Sequence, residues 1–235
     1  MVLLAAVLGV GLAARLGFWQ LGRAAQKESI QAAQDARSGM PVLEVSTLAR
    51  TAEQAAVQHH RPVRLHGHWL PARTVFLDNR QMNGRPGFFV VTPLQLQNNK
   101  DAVLVQRGWA PRDMLDRALL PAVPSPAGVV EVLGAIAPPP SRLYDFAAQE
   151  AGPIRQNLDA AAFARETGLS VRPLSVLQVD SAGTAGDGLL RQWPQPAVGV
   201  HKHYGYAFQW FALGALMAGL YVWFQLVRPR LRRSA

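Results

Sequence analysis

An apolar stretch near the C-terminal end constrains the fold of this chain more than any other feature. Residues 207–227 (AFQWFALGALMAGLYVWFQLV) contain no Asp, Glu, Lys, Arg or His. A helix of this length, at about 1.5 Å per residue, crosses a hydrocarbon layer of roughly 30 Å. Four arginines follow within residues 228–233. Because cytoplasmic flanks collect Lys and Arg, the C-terminus is predicted to be cytoplasmic and His203 to lie at the outer boundary.

The N-terminal end is apolar as well. Residues 1–14 carry no charged side chain, and LGFW follows a single Arg15. A cleaved signal peptide would have a basic start and a polar sequence after its cleavage site, so an uncleaved first span is favoured. Arg15 is tolerable close to an interface, where a long side chain can reach water, and Trp19 marks such an interface.

Two spans with a cytoplasmic C-terminus require a cytoplasmic N-terminus, so the region between them lies outside. The predicted division is a first transmembrane helix (1–22), an extracytoplasmic domain (23–202), a second transmembrane helix (203–228) and a basic cytoplasmic tail (229–235).

Composition narrows the function classes. The chain has no cysteine, which excludes disulfides, thiolate metal sites and a cysteine nucleophile. Its net charge of +9 includes the basic tail, and the remaining Lys and Arg are scattered. A nucleic-acid partner is therefore not expected. Gly-x-Ser-x-Gly, His-Glu-x-x-His and phosphate-loop motifs are absent, so the sequence supports no enzyme activity.

The region between the spans alternates strand-like runs with turn residues. Strands are predicted at 63–69, 74–77, 88–92, 102–106, 129–137 and 174–179. Helices are predicted at 46–58, starting at a Ser cap, and at 159–167, with Asp159 as the N-cap and Gly168 after its end. Residues 138–140 and 181–188 are predicted loops. The fold class is α+β, a strand-rich antiparallel sheet or open barrel flanked by two transmembrane helices.

Small residues recur every fourth position in the first span, at Ala5, Gly9, Ala13 and Gly17. Part of this segment fits a Gly-x-Gly-x-x-Ala nucleotide-binding pattern, but no second strand with an acidic end follows it. A flat stripe that lets two membrane helices approach closely is the better interpretation. Gly214 with Ala218, and again Ala215 with Gly219, offer matching surfaces on the second span. Glycine and alanine are common in membrane helices in any case.

The histidines offer two candidate sites. His66 and His68 share one face of a predicted strand and could chelate a metal, although a solvated strand edge explains them equally. On the second span, Tyr206 and Trp210 follow His203 at i+3 and i+7, which places an imidazole and two aromatic rings on one helix face. Imidazole is a common haem ligand. The alternative is an interfacial histidine within an aromatic belt.

Several ordered motifs resemble the surfeit locus protein 1 family, the membrane-bound assembly factors of cytochrome c oxidase. They are LGFWQLGR at 16–23, GHW at 67–69, LDNR at 77–80, GRPGF at 84–88, TPL at 92–94, VLV at 103–105, RGWAP at 107–111 and HYGYAFQWF at 203–211. The resemblance covers nearly the whole chain. Within these motifs, Asn79-Arg80 and Gly84 to Gly87 are most simply tight turns between strands, whereas Arg107 and Trp109 are either docking residues or caps of the core.

This resemblance implies an assembly factor that helps haem a reach the oxidase core subunit and works beside the haem a synthesis machinery. The implied location is a bacterial inner membrane with the main domain in the periplasm. His203 becomes the expected ligand of the haem iron, with Tyr206 and Trp210 as neighbouring contacts. His201 has no place in the motif, so its role is open. A scaffold that stabilises an oxidase intermediate without binding haem is the alternative.

Overall fold

The computed structural model describes residues 1–97, 99–116, 119–140, 152–194 and 199–233. The chain forms two compact units. One joins Met1–Ala33 to Pro194–Ala235, and the other is Gln34–Trp193. We call them the helix pair and the barrel unit.

Helices dominate the two ends of the chain and strands dominate its middle. The helices are α1 (Val2–Ser38), α2 (Ala52–Gln58), α3 (Ala160–Thr167), α4 (Val200–Val222) and α5 (Arg228–Arg233), with a π-helical segment (Trp223–Val227) between the last two. The strands are β1 (Pro62–Trp69), β2 (Val75–Met82), β3 (Arg85–Leu96), β4 (Asp101–Pro111), β5 (Val130–Ala137), β6 (Ile154–Arg155) and β7 (Ser170–Gln178).

Five strands of the barrel unit close on themselves. The sheet order is β1-β5-β7-β4-β3-β2-β6, and β1 also pairs with β3, which joins the two sides of the sheet into a ring. Strands β4 and β7 run parallel, as do β2 and β6, and the other pairs are antiparallel. The predicted α+β, strand-rich fold flanked by two apolar helices is confirmed, with a barrel that is closed and a sheet that is mixed.

Aliphatic side chains fill the inside of the barrel. Alternate residues of a strand share one face, and Leu65 on β1, Val105 on β4 and Val176 on β7 are fully buried in one cluster. The same cluster takes Leu94 from β3 and Ile136 from β5. The interior is therefore a packed core held by the burial of apolar surface.

Two local predictions are wrong in detail. Residues 79–80 do not turn between strands but lie inside β2, where Asn79 has a φ of 58° and the register with β3 shifts between Leu77 and Arg80. The helix predicted over 46–58 begins only at Ala52, because Thr51 supplies the cap and Gln54 completes a capping box with it. Residues 45–47 form a separate 3₁₀ turn.

Other local predictions are confirmed. Helix α3 has Asp159 as its N-cap, whose side chain accepts a hydrogen bond from the Ala162 amide at 2.8 Å. Gly168 ends it in the left-handed conformation. Between β2 and β3, Asn83 and Gly84 both have positive φ, so this turn has the backbone that favours these two residue types.

Two helices are long and apolar enough to cross a membrane, Val2–Ser38 and Val200–Arg232. Within the helix pair they pack along a seam of buried and half-buried residues spaced alternately three and four apart, the repeat of left-handed helix pairs. On α4 the seam is made by His203, Ala207, Trp210, Gly214, Met217 and Tyr221, and on α1 by Ala6, Val10, Ala13, Gly17, Gln20 and Ala24.

The small-residue stripe packs against α4 at Gly9, Ala13 and Gly17, whereas Ala5 at its start and Ala218 on α4 are exposed. A Cβ atom added at Gly17 would lie 2.7 Å from the Phe211 ring, and one added at Gly214 would lie 3.5 Å from the Ala13 Cβ. Phe18 also meets Phe211 edge to face, with ring centroids 5.2 Å apart. These contacts bring the two backbones close and gain dispersion energy.

Candidate functional site

His203 lies in the first turns of α4 and is held by the opposite helix. Its Nδ1 is 2.8 Å from Oε1 of Gln20 on α1. Because an amide oxygen can only accept, the imidazole donates from Nδ1 and Nε2 carries the lone pair. A histidine fixed through one ring nitrogen by a neighbouring acceptor is the arrangement that orients metal-ligating imidazoles.

The aromatic neighbours of His203 differ in exposure. Trp210 is half-buried on the seam, and Ala207, between the two, is 2% exposed. Tyr206 lies at the flank of the same face with 53% of its surface exposed. The imidazole therefore has a buried gap and an indole on its membrane side and a phenol at the open edge.

Polar groups continue the helix pair beyond His203. The Tyr204 hydroxyl donates to Glu28 Oε1 at 2.9 Å. Arg23 donates to Gln26 at 3.0 Å and its guanidinium carbon lies 5.9 Å from the centroid of the Trp19 ring. Lys202 is exposed. Cationic side chains thus remain at the water-facing end of the pair, at the level where charged parts of an apolar ligand would stay hydrated.

The other histidines are not gathered into a metal site. His66 and His68 lie on β1 and point away from the barrel interior, and His66 Nε2 is 3.3 Å from Glu131. His201 is exposed on α4. Among the described residues, no three His, Cys, Asp or Glu side chains cluster in a way that could hold a metal ion.

Three of the sequence motifs converge on one tryptophan. Trp109 is 1% exposed, and its indole donates to the backbone oxygen of Arg80 at 2.9 Å. A Cβ atom added at Gly87 would lie 2.4 Å from the Trp109 ring. Glycine at this position is therefore required by close packing rather than by a turn, and Trp109 belongs to the core instead of a docking surface.

Arg107, by contrast, lines a cavity of about 500 Å³ at one end of the barrel. Its guanidinium carbon lies 4.5 Å from the centroid of the Trp69 ring. It donates to Ser125 Oγ at 2.8 Å and to the Pro124 oxygen at 2.6 Å. Burial is the main reason that its pKa falls to about 10, with Asp187 opposing the shift and Arg191 adding to it.

This cavity was not predicted from the sequence. The available signal was periodicity: in β4, Val103 and Val105 face the barrel interior and Arg107 continues their row. A charged residue in a row of core positions indicates the end of a core or a binding site.

Comparison with known proteins gives a consistent picture. The family model described as SURF1 family matches residues 7–215. A SURF1-like protein of Rickettsia felis is 31% identical over 96 residues, which cover 40% of this chain and 39% of that protein. The cytochrome oxidase assembly protein SHY1 of Saccharomyces cerevisiae is 30% identical over 94 residues, covering 40% of this chain and 24% of that protein. The matched segments thus span less than half the length of these relatives.

Proposed function

The chain belongs to the SURF1 family, and we propose that it is a membrane-anchored assembly factor for cytochrome c oxidase rather than an enzyme. Family membership agrees with the resemblance that its motifs indicate. A yeast relative carries the name of an oxidase assembly protein, which supports the same role here. The proposed partners are the oxidase core subunit and the machinery that synthesises haem a.

The proposed location is a bacterial inner membrane, with both termini cytoplasmic and the barrel unit in the periplasm. Two apolar helices support membrane insertion. The arginines within residues 228–233 support the orientation, since positive flanks stay on the cytoplasmic side.

His203 is the proposed haem contact, and the observation that carries it is the hydrogen bond between its Nδ1 and Gln20 Oε1. This bond fixes the ring and leaves Nε2 as the basic nitrogen, which suits an axial ligand of haem iron. Haem a would bring a metal centre that accepts one such nitrogen. Gln20 acts as a positioning residue, because it holds the imidazole without being a ligand itself.

The surroundings of His203 fit a large flat molecule that carries two carboxylates along one edge. Tyr206 and Trp210 would contact the apolar ring system. Arg23 and Lys202 lie at the water-facing end of the helices, where carboxylates would be paired or hydrated. In the scaffold alternative, His203 and Gln20 only join the two helices; the half-buried state of the imidazole is the observation that favours it.

The deciding experiment is the absorption spectrum of the full chain co-produced with haem a synthesis enzymes. We expect H203A to lose or shift the haem bands while it remains inserted in the membrane. H201A is the matched control, because His201 is exposed and two residues away, and it should keep the wild-type spectrum. Q20L should shift the bands less than H203A, since it frees the ring without removing it.

An unchanged spectrum in H203A, together with normal oxidase levels, would overturn the haem contact and favour the scaffold. Loss of oxidase with a normal haem spectrum would instead separate assembly from haem binding. Both results are read at equal amounts of membrane-inserted protein.

A further inference from the structure

The cavity lined by Arg107 lies at the mouth of the barrel. Trp69 is the last residue of the row on β1 that faces the barrel interior. Arg107 continues the corresponding row on β4, and Gln178 continues the row on β7. Gln106 pairs with Leu177 across the parallel strands, so Arg107 and Gln178 are neighbours in register. All three line the same cavity, which we call the barrel mouth. Small-molecule sites often occupy the mouths of β-barrels.

Arg107 differs from three other arginines of the barrel unit whose side chains are buried. Arg155, Arg172 and Arg191 each have a carboxylate within 4.0 Å, from Glu166, Asp101 and Asp187 respectively. Within the part of the chain that the structure describes, no carboxylate lies within 4.0 Å of Arg107, which is only 3% exposed. A buried cation with hydroxyl and carbonyl partners alone lacks the counter-charge that buried ions usually have.

Gln178 is a second buried polar residue in the barrel mouth. It is 4% exposed, and its Oε1 has no hydrogen-bond partner among the described residues. A buried amide oxygen without a donor is costly, so a ligand that brings an N–H or O–H group would be favoured. The barrel mouth is therefore suited to a ligand that has an anionic group close to a hydrogen-bond donor.

The remaining walls define the body of the ligand. Trp69, Val130 and Leu133 are apolar, and the segment around 182–186 contributes only small side chains. Two carboxylates also line the cavity, but Asp187 is bonded to Arg191 and Glu131 contacts His66 and Arg64. Their charges are thus partly neutralised from outside the barrel mouth.

We propose that the barrel mouth binds a carboxylate that has a neighbouring N–H donor and an apolar body, which is the chemistry of a peptide C-terminus ending in an apolar residue. Arg107 would bind the carboxylate through charge-assisted hydrogen bonds. Gln178 Oε1 would accept from the peptide N–H, and the apolar side chain would lie against Trp69. This site is separate from the proposed haem contact and does not depend on it.

The test is a titration of the full chain in nanodiscs, followed by calorimetry. The probes are N-acetyl-Ala-Ala-Leu as the free acid, the same peptide as its C-terminal amide, and N-acetyl-leucine. We expect the acid to bind at least about tenfold more tightly than the amide, since a hydrogen bond to a charged group is worth more than a neutral one. Tighter binding of the peptide than of N-acetyl-leucine assigns the site to a protein tail, and equal binding assigns it to a small acid.

Two variants locate the binding. R107M should reduce affinity for the acid about tenfold or more, whereas R165M, which removes an exposed arginine on α3 that does not line the cavity, should leave it unchanged. A182W fills the barrel mouth from an exposed position at the start of a short 3₁₀ helix (Ala182–Thr184) and therefore tests the site even if R107M fails to fold. Equal binding of acid and amide, no saturable binding of any probe, or wild-type binding by A182W would overturn the proposal.

Discussion

The helix pair and the barrel unit achieve close packing in opposite ways. In the barrel unit, less than 2% of the surface of large residues such as Leu65, Phe88 and Trp109 is exposed. In the helix pair, the buried positions include Ala13 and Gly17, while Leu8 and Phe208 are 64% and 73% exposed.

The difference reflects the solvent that each unit faces. In water, burying large apolar side chains is the main source of stability. In a bilayer, apolar side chains gain nothing by leaving the lipid, so helices associate where small residues let their backbones approach. The barrel unit therefore buries its large side chains, whereas the helix pair buries its small ones.

The strongest test of this contrast is the removal of a large core side chain from the barrel. We expect L65A to lower the free energy of unfolding by about 2–5 kcal/mol, because the barrel around Leu65 cannot fully close the cavity. Denaturant unfolding of the full chain, followed by the circular dichroism of its strands, measures this. L115A is the control, since Leu115 is fully exposed; an equal loss in both variants would contradict a packed barrel interior.

In the helix pair the corresponding damage comes from adding atoms. G17L should separate the helices, because even a Cβ atom at Gly17 would lie 2.7 Å from the Phe211 ring, and overpacking typically costs about 1–3 kcal/mol. The measurement is oxidative cross-linking of A13C with G214C in membranes. Their Cβ atoms would be 3.5 Å apart, within the usual range for a disulfide, and no native cysteine interferes.

G11L serves as the matched control on the same helix, because an added Cβ at Gly11 meets nothing within 4 Å. We expect normal cross-linking in G11L and reduced cross-linking in G17L. Equal yields in the two variants would show that the helices do not meet along this stripe.

The smallest predicted effect is a pH dependence of stability that arises from two histidines of the barrel unit. Burial is the main cause that lowers the pKa of both His59 and His60 below 6.5, and Arg37 adds to it in each. A lowered pKa means that the unfolded chain binds protons more readily. Stability is therefore complete above about pH 6.5 and is lost as the pH falls through the folded-state values.

Urea unfolding between neutral and mildly acidic pH tests this. The double variant H59Q/H60N should show a flatter pH dependence than the wild type, with asparagine chosen because residue 60 has a φ of 68°. A double variant with the wild-type slope would place the titrating groups elsewhere.

The sequence predicts those features that depend on neighbouring residues. Helix α3 is predicted because Asp159 and Gly168 cap it locally, and the strands because their apolar runs are continuous. The start of α2 is missed because Ser46 and Thr51 are both good caps, and only the Thr51–Gln54 capping box distinguishes them. Residues 79–80 look like a turn, but the bulge in β2 is defined by its pairing with β3.

The candidate sites also differ in how far neighbouring residues of the sequence predict them. The face that carries His203, Tyr206 and Trp210 follows from helical spacing, and its role as a haem contact stays a prediction. Gln20 could not be found, because it lies 183 residues away in the chain. The barrel mouth could not be found either, since Trp69, Arg107 and Gln178 come together only when the five strands that include β1, β4 and β7 close into a ring.

The position of β7 in that ring has a kinetic consequence. It lies between β5 and β4 and is the last strand to leave the ribosome, so the barrel cannot close until residue 178 has been made. Until then β4 and β5 each have an edge of unpaired backbone N–H and C=O groups, and joining them requires contacts between distant parts of the chain. Folding of the barrel is therefore expected to be slow and to be completed only after residue 178 has left the ribosome.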